Sequence, residues 1–545
     1  MFYMYVRLTK SKKSKHPTLQ IVQGIREGKK VKQKIIASLG VIKSKKDLEK
    51  AGKLAEHLVR QLEKEGIPID KKLCIKDLVH RKTVYDGFGV VVDKIMELTD
   101  FSNVIHQAQG KQRFDLENVI KLMIVQRLEL PGSKLRTYER QHDHGFENIS
   151  LHQIYRAMDA IGPFSAEIQK HAFQTVQKFS EDTIDCFFFD VTTLYFESVI
   201  QDDLKNFGFS KDQKHHSVQI VLALVVDSKG MPLAYEVFQG NLAETKTLIP
   251  VLETLRNRFS IKNVTVVCDR GLASISNVKA LQEAKFHFVI ASKLRSMSKN
   301  LKINDLTFYK PLLGQENLPK EKQILYRTMP HPQYEHAFLI VTYSPSRAKK
   351  DREDRECLIE KLRKKLNKPF EASVKSVISN SGYKKYTTAK KGSSIVLNEK
   401  AMKNDAAWDG FHGIAVSNSA NISLEEALLR YRDLWHVEET FRIIKSTLKT
   451  RPIFHWISHR IKAHVLLCFL TLFFERFLEL RLRQKGTPLT PDRLRYALSG
   501  IHTVIFENFG TSKTVKMPSL LSEDAKNIFA ALEIPIQRET QMCCV

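Results

Sequence analysis

Two aspartates follow stretches that are predicted to be buried strands. Asp190 comes directly after the run Asp185-Cys186-Phe187-Phe188-Phe189, and Asp269 comes directly after Asn263-Val264-Thr265-Val266-Val267-Cys268. In open α/β sheets, ligands collect at the carboxyl ends of the strands. Carboxylates that share such an edge repel one another unless a cation neutralises them, and hard oxygen ligands favour Mg²⁺ or Mn²⁺ over zinc. The pair therefore predicts a divalent metal site, although either aspartate alone is also typical of a turn or a helix cap.

A carboxylate site of this kind suits chemistry on phosphodiesters. Two divalent ions about 3.5–4 Å apart activate a water or a 3′-hydroxyl and stabilise the leaving oxygen. The composition agrees with such a substrate, because a formal net charge of +27 and a pI near 9.6 favour polyanionic partners, most commonly nucleic acid. A basic soluble protein without such a partner is the alternative that composition leaves open.

The segment from Tyr431 to Lys445 carries a second group of chemically capable side chains. If it forms one helix, Tyr431, Glu438 and Lys445 lie seven residues apart along one stripe, since a helix has about 3.6 residues per turn. One face then carries a phenol, a carboxylate and an ammonium. Such a stripe is also typical of a solvated helix surface, so its meaning depends on the two aspartates upstream.

The elements that must position these side chains follow a mixed α/β pattern. After residue 183 the predicted order is β-β-β-α-β-α-β. Between about 300 and 405 this order is interrupted by short strands, a charged helix and a Gly/Ser/Lys-rich segment, which indicate an inserted subdomain. The stretch Asp409 to Ser417 resumes the strand pattern, and the helix that carries Glu438 is predicted to begin near Ser423.

The N-terminal part of the chain predicts two further regions. Residues 1–50 contain fourteen Lys or Arg against three acidic residues and predict a strand pair around Glu27-Gly28, as a phosphate-contacting arm or an ordinary solvated hairpin. A charged helix then ends at Gly66-Ile67-Pro68. From about 85 to 180 the periodicity is helical, and the helix from Ser150 to Met158 is a candidate DNA reader in a helix-turn-helix-like module. An ordinary helical bundle explains the same pattern.

Cysteine usage and hydropathy exclude several classes of protein. The seven cysteines are scattered, with Cys543-Cys544 as the only close pair, so neither a disulfide framework nor a zinc spacing is predicted. His215-His216 is interpreted as part of a basic loop, because neighbours in an extended segment point apart. The N-terminus has no apolar stretch typical of a signal peptide. The longest apolar run, Val465 to Phe474, is too short to span a bilayer and predicts a buried core helix.

The order of several motifs along the chain resembles one enzyme family. The segments are Pro131-Gly132-Ser133-Lys134, Phe189-Asp190-Val191-Thr192-Thr193-Leu194-Tyr195-Phe196-Glu197, Val266-Val267-Cys268-Asp269-Arg270-Gly271, Asp409-Gly410-Phe411, Tyr431 to Lys445 and Arg451-Pro452-Ile453-Phe454-His455. They resemble the DDE transposases of bacterial insertion sequences, in the insertion-sequence-four-like superfamily marked by Y-x2-R-x3-E-x6-K. Within it, the chain is most similar to the branch with a long β-rich insertion before the final Glu. The resemblance covers most of residues 85–500.

This resemblance implies a fold and a set of metal ligands. The fold is an RNase H-like catalytic core, in which the first and fourth strands lie side by side and bring Asp190 next to Asp269. A helix then delivers Glu438, so that Asp190, Asp269 and Glu438 are the catalytic ligands of two Mg²⁺ or Mn²⁺ ions. Glu439 is the rival third ligand, but only Glu438 has the tyrosine and the lysine of the motif at the right spacing.

The resemblance also implies DNA contacts around the carboxylates. Tyr431 would contact the DNA backbone near the cut, and Lys445 would hold a phosphate as a point charge. The arginine of the motif falls at Leu434, and Arg442 is the predicted substitute. Further predicted DNA contacts are Arg270 and Lys293, of which the lysine is equally typical of a solvated charge.

The predicted fold is therefore mixed α/β, with an RNase H-like core, a β-rich insertion, a basic N-terminal β-hairpin region and a helical DNA-binding region. The predicted domains are the N-terminal hairpin and helix (1–80), the helical DNA-binding region (81–180), the first part of the core (181–300), the β-rich insertion (301–405), the final strand and Glu-bearing helix of the core (406–480) and a C-terminal helical region or tail (481–545).

The predicted function is metal-dependent cleavage at the terminal inverted repeats of a mobile element, followed by joining of the 3′-hydroxyl to target DNA. The predicted partners are the terminal repeats, the target DNA and a second copy of the chain in a synaptic complex, with no membrane. The protein is expected to be cytoplasmic and nucleoid-associated in a bacterium. Two alternatives stay open, which are a metal-dependent DNA nuclease that does not join strands and a DNA-binding protein without catalytic activity.

Overall fold

The protein has a mixed α/β fold in the computed structural model, as the sequence predicts. The described residues are 2–11, 14–27, 30–65, 78–180, 184–210, 214, 216–259, 264–297, 301–366, 381–390, 394–508, 513–536 and 541–544. Outside them lie the predicted turn residue Gly28, the predicted boundary Gly66-Ile67-Pro68 and His215. The chain forms two compact units, the first from Met1–His171, Ile444–Thr450 and Phe454–Val545, and the second from Ala172–Ile443 and Arg451–Ile453.

The strands and helices are numbered in chain order. The described strands are β1 Phe2–Thr9, β2 Thr18–Glu27, β3 Lys30–Val41, β4 Leu78–Val84, β5 Cys186–Tyr195, β6 Gln219–Val226, β7 Pro232–Gln239, β8 Thr265–Cys268, β9 His287–Ala291, β10 Lys310–Pro311, β11 Leu325–Pro330, β12 Ala337–Tyr343, β13 Thr387–Lys390, β14 Ser394–Leu397, β15 Phe411–Ser417, β16 Thr503–Asn508, β17 Lys513–Pro518 and β18 Gln541–Cys544. The described α-helices are α1 Lys45–Glu65, α2 Gly87–Thr99, α3 Phe101–Gln109, α4 Leu116–Glu129, α5 Lys134–Glu139, α6 Leu151–Ile161, α7 Ser165–Phe179, α8 Leu248–Phe259, α9 Ile275–Glu283, α10 Pro345–Leu366, α11 Ser381–Lys385, α12 Glu399–Ala406, α13 Leu424–Arg432, α14 Trp435–Arg442, α15 Ser458–Gln484, α16 Pro491–Ser499 and α17 Glu523–Ala531.

A nine-stranded sheet forms the centre of the second unit. Its order is β10-β11-β12-β15-β9-β8-β5-β6-β7. β5 pairs in parallel with β8, and β8 pairs in parallel with β9, whereas β6 and β7 continue from β5 as an antiparallel meander. This is the strand order of the expected RNase H-like core, with the first and fourth core strands side by side. The predicted adjacency of these strands is confirmed.

The strand that carries Asp190 extends further than the sequence predicts. β5 continues to Tyr195, so the prediction that it ends at Asp190 is wrong. The reason lies in its two neighbours, because β8 stops at Cys268 while β6 pairs with β5 through Tyr195. Asp190 therefore lies inside β5, directly after the last position at which β5 pairs with β8, while the pairing of β5 with β6 continues.

Part of the segment predicted as a separate insertion belongs to this sheet. β12 pairs antiparallel with β15, and β11 pairs antiparallel with β12. Since β15 also pairs with β9, the strands from this segment extend the core sheet at one edge. The described part of the segment also contains the charged helix α10, the short helices α11 and α12, and the small sheet of β13 and β14.

The first unit contains a three-stranded sheet and a helical bundle. β2 and β3 form the predicted pair, and β1, which the sequence pattern did not predict, adds to the edge of β2. In the bundle, α6 begins with a capping box between Ser150 and Gln153 and buries Ile154, Ala157 and Met158. It packs against α3, α4, α5 and α15, as the bundle alternative predicts, and its role as a DNA reader stays a prediction.

The apolar run near the C-terminus is the core helix that the sequence predicts. α15 is buried along most of its length, including every residue from Val465 to Phe474. In the described part of the chain, no helix is both long and apolar enough to cross a membrane.

The C-terminal region is not only helical, which corrects the prediction for residues 481–545. β16, β17 and β18 form an antiparallel sheet with β4, in the order β18-β17-β16-β4. β4, β16 and β17 are short, and the side chains with a described burial are mostly partly buried or exposed, so their sequences lack the long apolar pattern by which strands are recognised.

Candidate active site

Asp190 and Asp269 hold the positions directly after the last paired residues of the neighbouring parallel strands β5 and β8. The last paired positions of β5 and β8 are Phe189 and Cys268, so the next residue on each strand is an aspartate. Neighbouring strands are about 4.8 Å apart. The pKa of the buried Cys268 thiol is raised by burial and then by the negative charges of Asp269 and Asp190. Both carboxylates therefore lie close enough to influence that thiol.

Tyr431 reaches this pair from the last turn of α13. Its hydroxyl donates a hydrogen bond to Oδ1 of Asp269 at 3.4 Å, and its ring centroid lies 4.9 Å from that of His412 in β15. Burial raises the pKa of the Tyr431 phenol and the charge of Asp269 raises it further, so the hydroxyl remains a donor at neutral pH. Burial lowers the pKa of His412 to about 4, so this imidazole is neutral beside the phenol.

The segment from Tyr431 to Lys445 is not one helix. α13 ends at Arg432, α14 begins at Trp435, and a π-helical turn follows from Ile443. The prediction that one continuous helix carries the whole stripe is therefore wrong. At the break, Asp433 holds the C-terminal cap position of α13, and the next side chain, Leu434, is only 5% exposed.

Glu438 and Glu439 lie on α14, which packs against β5 and β6. The helix buries Val437, Thr440 and Phe441 on its sheet side, whereas Glu438 is exposed. Glu439 is less exposed and lies 3.6 Å from the Arg442 guanidinium as an ion pair. Both carboxylates thus belong to the element that the sequence predicts to deliver the third ligand.

The donor chemistry of the aspartate pair fits a divalent cation. Two carboxylates at adjacent positions supply hard oxygen ligands and gain from a cation between them. The structure brings Asp190 and Asp269 together. It does not add Glu438 to them, since the described residues contain no cluster of three His, Cys, Asp or Glu side chains that could hold a metal ion. Glu438 as the third ligand stays a prediction.

The predicted phosphate contacts on this segment differ in their surroundings. Leu434, at the position of the motif arginine, is buried and apolar and therefore offers no phosphate contact. Arg442, its predicted substitute, is 73% exposed at the end of α14. Lys445 is half-buried in the π-helical turn and belongs to the first compact unit.

A cleft of about 910 Å³ opens beside Asp269 and Tyr431. Arg270 and Lys293, two of the predicted DNA contacts, are exposed along its wall. The cleft also has acidic and basic side chains from α10, of which Arg355 is the most buried. A negatively charged strand would therefore meet exposed cations at the edge of the aspartate pair.

Two residues that support the site escaped prediction from the sequence. His412 follows directly after the motif Asp409-Gly410-Phe411, and this position was the only available signal for its contact with Tyr431. No sequence pattern indicated the role of Arg355, because its partner Asp409 is far away in the sequence. Its Nη2 donates to Oδ2 of Asp409 at 2.7 Å, and its Nη1 donates to Oδ1 of the same carboxylate.

Two family matches together cover much of the chain. The family described as Transposase DDE domain matches residues 182–474, and the family described as IS1634 family transposase, N-terminal domain matches residues 6–68. No curated protein matches the sequence significantly.

Among solved structures, the chain is similar to the "Mos1 transposase paired-end complex with left transposon end". The identity is 10%, and the match covers 33% of this chain and 59% of that chain, which is less than two thirds of its length. The TM-score is 0.15, and a likeness at that level supports no conclusion about this protein.

Proposed function

The chain belongs to the DDE transposases of bacterial insertion sequences, and from this premise we propose that it cleaves the ends of a mobile element and joins the freed 3′-hydroxyl to target DNA. The observation that carries the proposal is the side-by-side arrangement of Asp190 and Asp269 beyond the paired positions of β5 and β8. Adjacent carboxylates supply the hard oxygen ligands that two-metal chemistry on a phosphodiester uses.

Asp190, Asp269 and Glu438 would hold the divalent ions, Mg²⁺ or Mn²⁺. When bound, such ions activate the attacking water or 3′-hydroxyl and stabilise the leaving oxygen. The protein's own part is to fix the carboxylates, and the hydrogen bond from Tyr431 restricts the orientation of Asp269. Arg270, Lys293, Arg442 and Lys445 would contact the DNA backbone.

The proposed partners are DNA and a second copy of the chain. The net charge of +27 supports binding to the terminal inverted repeats and to target DNA. Pairing of two element ends requires two active sites, so we propose a homodimer in the synaptic complex. The proposed location is the bacterial nucleoid.

Replacing Glu438 by glutamine is expected to reduce end cleavage roughly a hundredfold or more, because a metal ligand loses its charge. Glu439→Gln is the matched comparison on the same helix, and it is expected to keep cleavage within about tenfold, since Glu439 pairs with Arg442. The measurement is cleavage of a labelled element end in Mg²⁺. A full loss in Glu439→Gln with normal cleavage by Glu438→Gln would exchange the two assignments.

Replacing Tyr431 by phenylalanine is expected to slow cleavage about fivefold, because the lost hydrogen bond to Asp269 is long, at 3.4 Å, and is worth about 1 kcal/mol. Affinity for the element end is expected to stay within about twofold. Tyr496→Phe, at a tyrosine that is 82% exposed, is the control. Cleavage rates at saturating DNA and end affinities separate the two effects. Weaker binding with an unchanged rate would instead favour a DNA contact by Tyr431.

A further inference from the structure

Four basic side chains form a buried cluster within the first compact unit. Arg127 is 4% exposed, Lys134 5%, His455 8% and His464 5%. Lys134 and His455 come from two of the segments that carry the family resemblance, yet the proposed function gives neither of them a role. We refer to these four residues as the buried basic cluster.

Among the described residues, the Arg127 guanidinium hydrogen-bonds to backbone carbonyls and forms no ion pair with a carboxylate. Nη1 of Arg127 donates to the carbonyl oxygen of Leu448 at 2.8 Å, while its Nε is buried without a hydrogen-bond partner. The Lys134 ammonium has neither a hydrogen bond nor an ion pair among the described residues. Buried charges in proteins are normally paired, so these side chains favour an anionic partner.

Two further buried polar atoms in or beside the cluster have no hydrogen-bond partner among the described residues, a hydroxyl that can donate and a ring nitrogen that can accept. The hydroxyl of Thr450, a residue that is fully buried, has no hydrogen-bond partner. Nε2 of His464 lies 3.1 Å from the carbonyl oxygen of Thr450, which leaves Nδ1 of that ring buried without a partner. The ring of His455 lies 5.2 Å from the ring of His464.

The electrostatics of the cluster agree with this geometry. Burial, together with the neighbouring charge of Arg127, lowers the pKa of Lys134 to about 7. Burial lowers the pKa of His455 to about 3, with Lys134 and Arg127 contributing in the same direction. Mutual repulsion among buried donors is relieved by an anion with several acceptor oxygens, which gains charge-assisted hydrogen bonds from them.

We propose that the buried basic cluster is a binding site for a phosphate oxyanion, held by Arg127 and Lys134 with a hydrogen bond from the Thr450 hydroxyl. The side chains on either side of His455 favour DNA as the source of that phosphate. Phe454 and Trp456 are each 62% exposed, and exposed aromatic rings beside cations are typical of surfaces that stack nucleic-acid bases. This choice of source rests on the proposed function, whereas the oxyanion site does not.

The test is the affinity for inorganic phosphate of the full-length protein, measured by calorimetric titration at constant ionic strength. Lys134→Met is expected to bind phosphate at least about tenfold more weakly, because a charge-assisted hydrogen bond is lost. It removes an unpaired buried charge, so it is expected to fold at least as well as the wild type. Thr450→Val, which removes only the unsatisfied hydroxyl, is expected to weaken phosphate binding about fivefold. Lys111→Met, at an exposed lysine of the same unit, is the control and is expected to leave the affinity unchanged.

Equal phosphate affinities in the wild type and Lys134→Met, or no phosphate binding by either, would overturn the site. A 5′-phosphorylated oligonucleotide that competes with inorganic phosphate, when the unphosphorylated oligonucleotide does not, identifies a DNA strand as the source. Absence of that competition overturns the DNA source and leaves free phosphate as the ligand. None of these measurements depends on cleavage, so a failure here is distinct from a failure of the proposed function.

Discussion

An Asp190→Asn protein is expected to lose strand cleavage by on the order of a thousandfold or more while still binding the element ends. The substitution keeps the shape of the side chain but removes one charge from the adjacent carboxylate pair of β5 and β8. A divalent cation would then meet a single charged ligand at this edge of the sheet, and its affinity falls steeply. DNA binding depends mainly on phosphate neutralisation and gains slightly when an acidic charge is removed.

The matched control is Asp185→Asn, on the residue that precedes the same strand. Asp185 is 57% exposed and pairs with Arg430 at 2.5 Å, so its loss is expected to change cleavage by less than about twofold. Normal cleavage by Asp190→Asn, or an equal loss in Asp185→Asn, would contradict the assignment. Supplying pre-cleaved ends to the wild-type protein tests joining as well, because a nuclease without strand transfer gives no joined product.

The central strands were predictable because their burial is complete. β5, β6 and β8 are covered on both faces and read as continuous apolar runs, which identify buried strands without any knowledge of their partners. The aspartates stand out against these runs. Their pairing came from the family resemblance, since nothing in the local pattern states which strand lies beside which.

The interruption between α13 and α14 was not predictable from periodicity. The spacing of Tyr431, Glu438 and Lys445 suits a straight helix, and Leu434 fits the apolar side of that helix equally well. Only the packed structure shows that Leu434 is buried at a break, with Asp433 as the cap. A tertiary contact thus overrides a helical preference that is worth less than about 1 kcal/mol per residue.

Contacts between residues far apart in the sequence were the other feature that the sequence did not predict. β4 pairs with β16 across more than four hundred positions, and neither strand carries a pattern that specifies the other. The contact of His412 with Tyr431 belongs to the same class, because it depends on β15 lying next to β9 within the sheet. Such pairings follow from topology, which local propensities do not determine.

Replacing Arg355 by methionine is expected to destabilise the second unit by about 3 kcal/mol, because it leaves the Asp409 carboxylate buried without its cation. The two side chains are 10% and 12% exposed, and the guanidinium contacts both carboxylate oxygens. Asp409 precedes β15, and β15 carries His412, which packs on Tyr431. Loss of this anchor is therefore also expected to loosen the hydrogen bond between Tyr431 and Asp269.

Urea denaturation followed by tryptophan fluorescence measures the effect on stability, since Trp408 packs beside Phe411 at the start of β15. Lys349→Met, on the same helix at a lysine that is 79% exposed, is expected to change stability by less than about 0.5 kcal/mol. The double variant Arg355→Met with Asp409→Asn removes both charges and is expected to recover most of the loss, because the cost arises from the unpaired carboxylate. If the double variant is instead as unstable as Arg355→Met alone, the packing of the arginine stem, and not its charge, stabilises Asp409 and β15, which follows it.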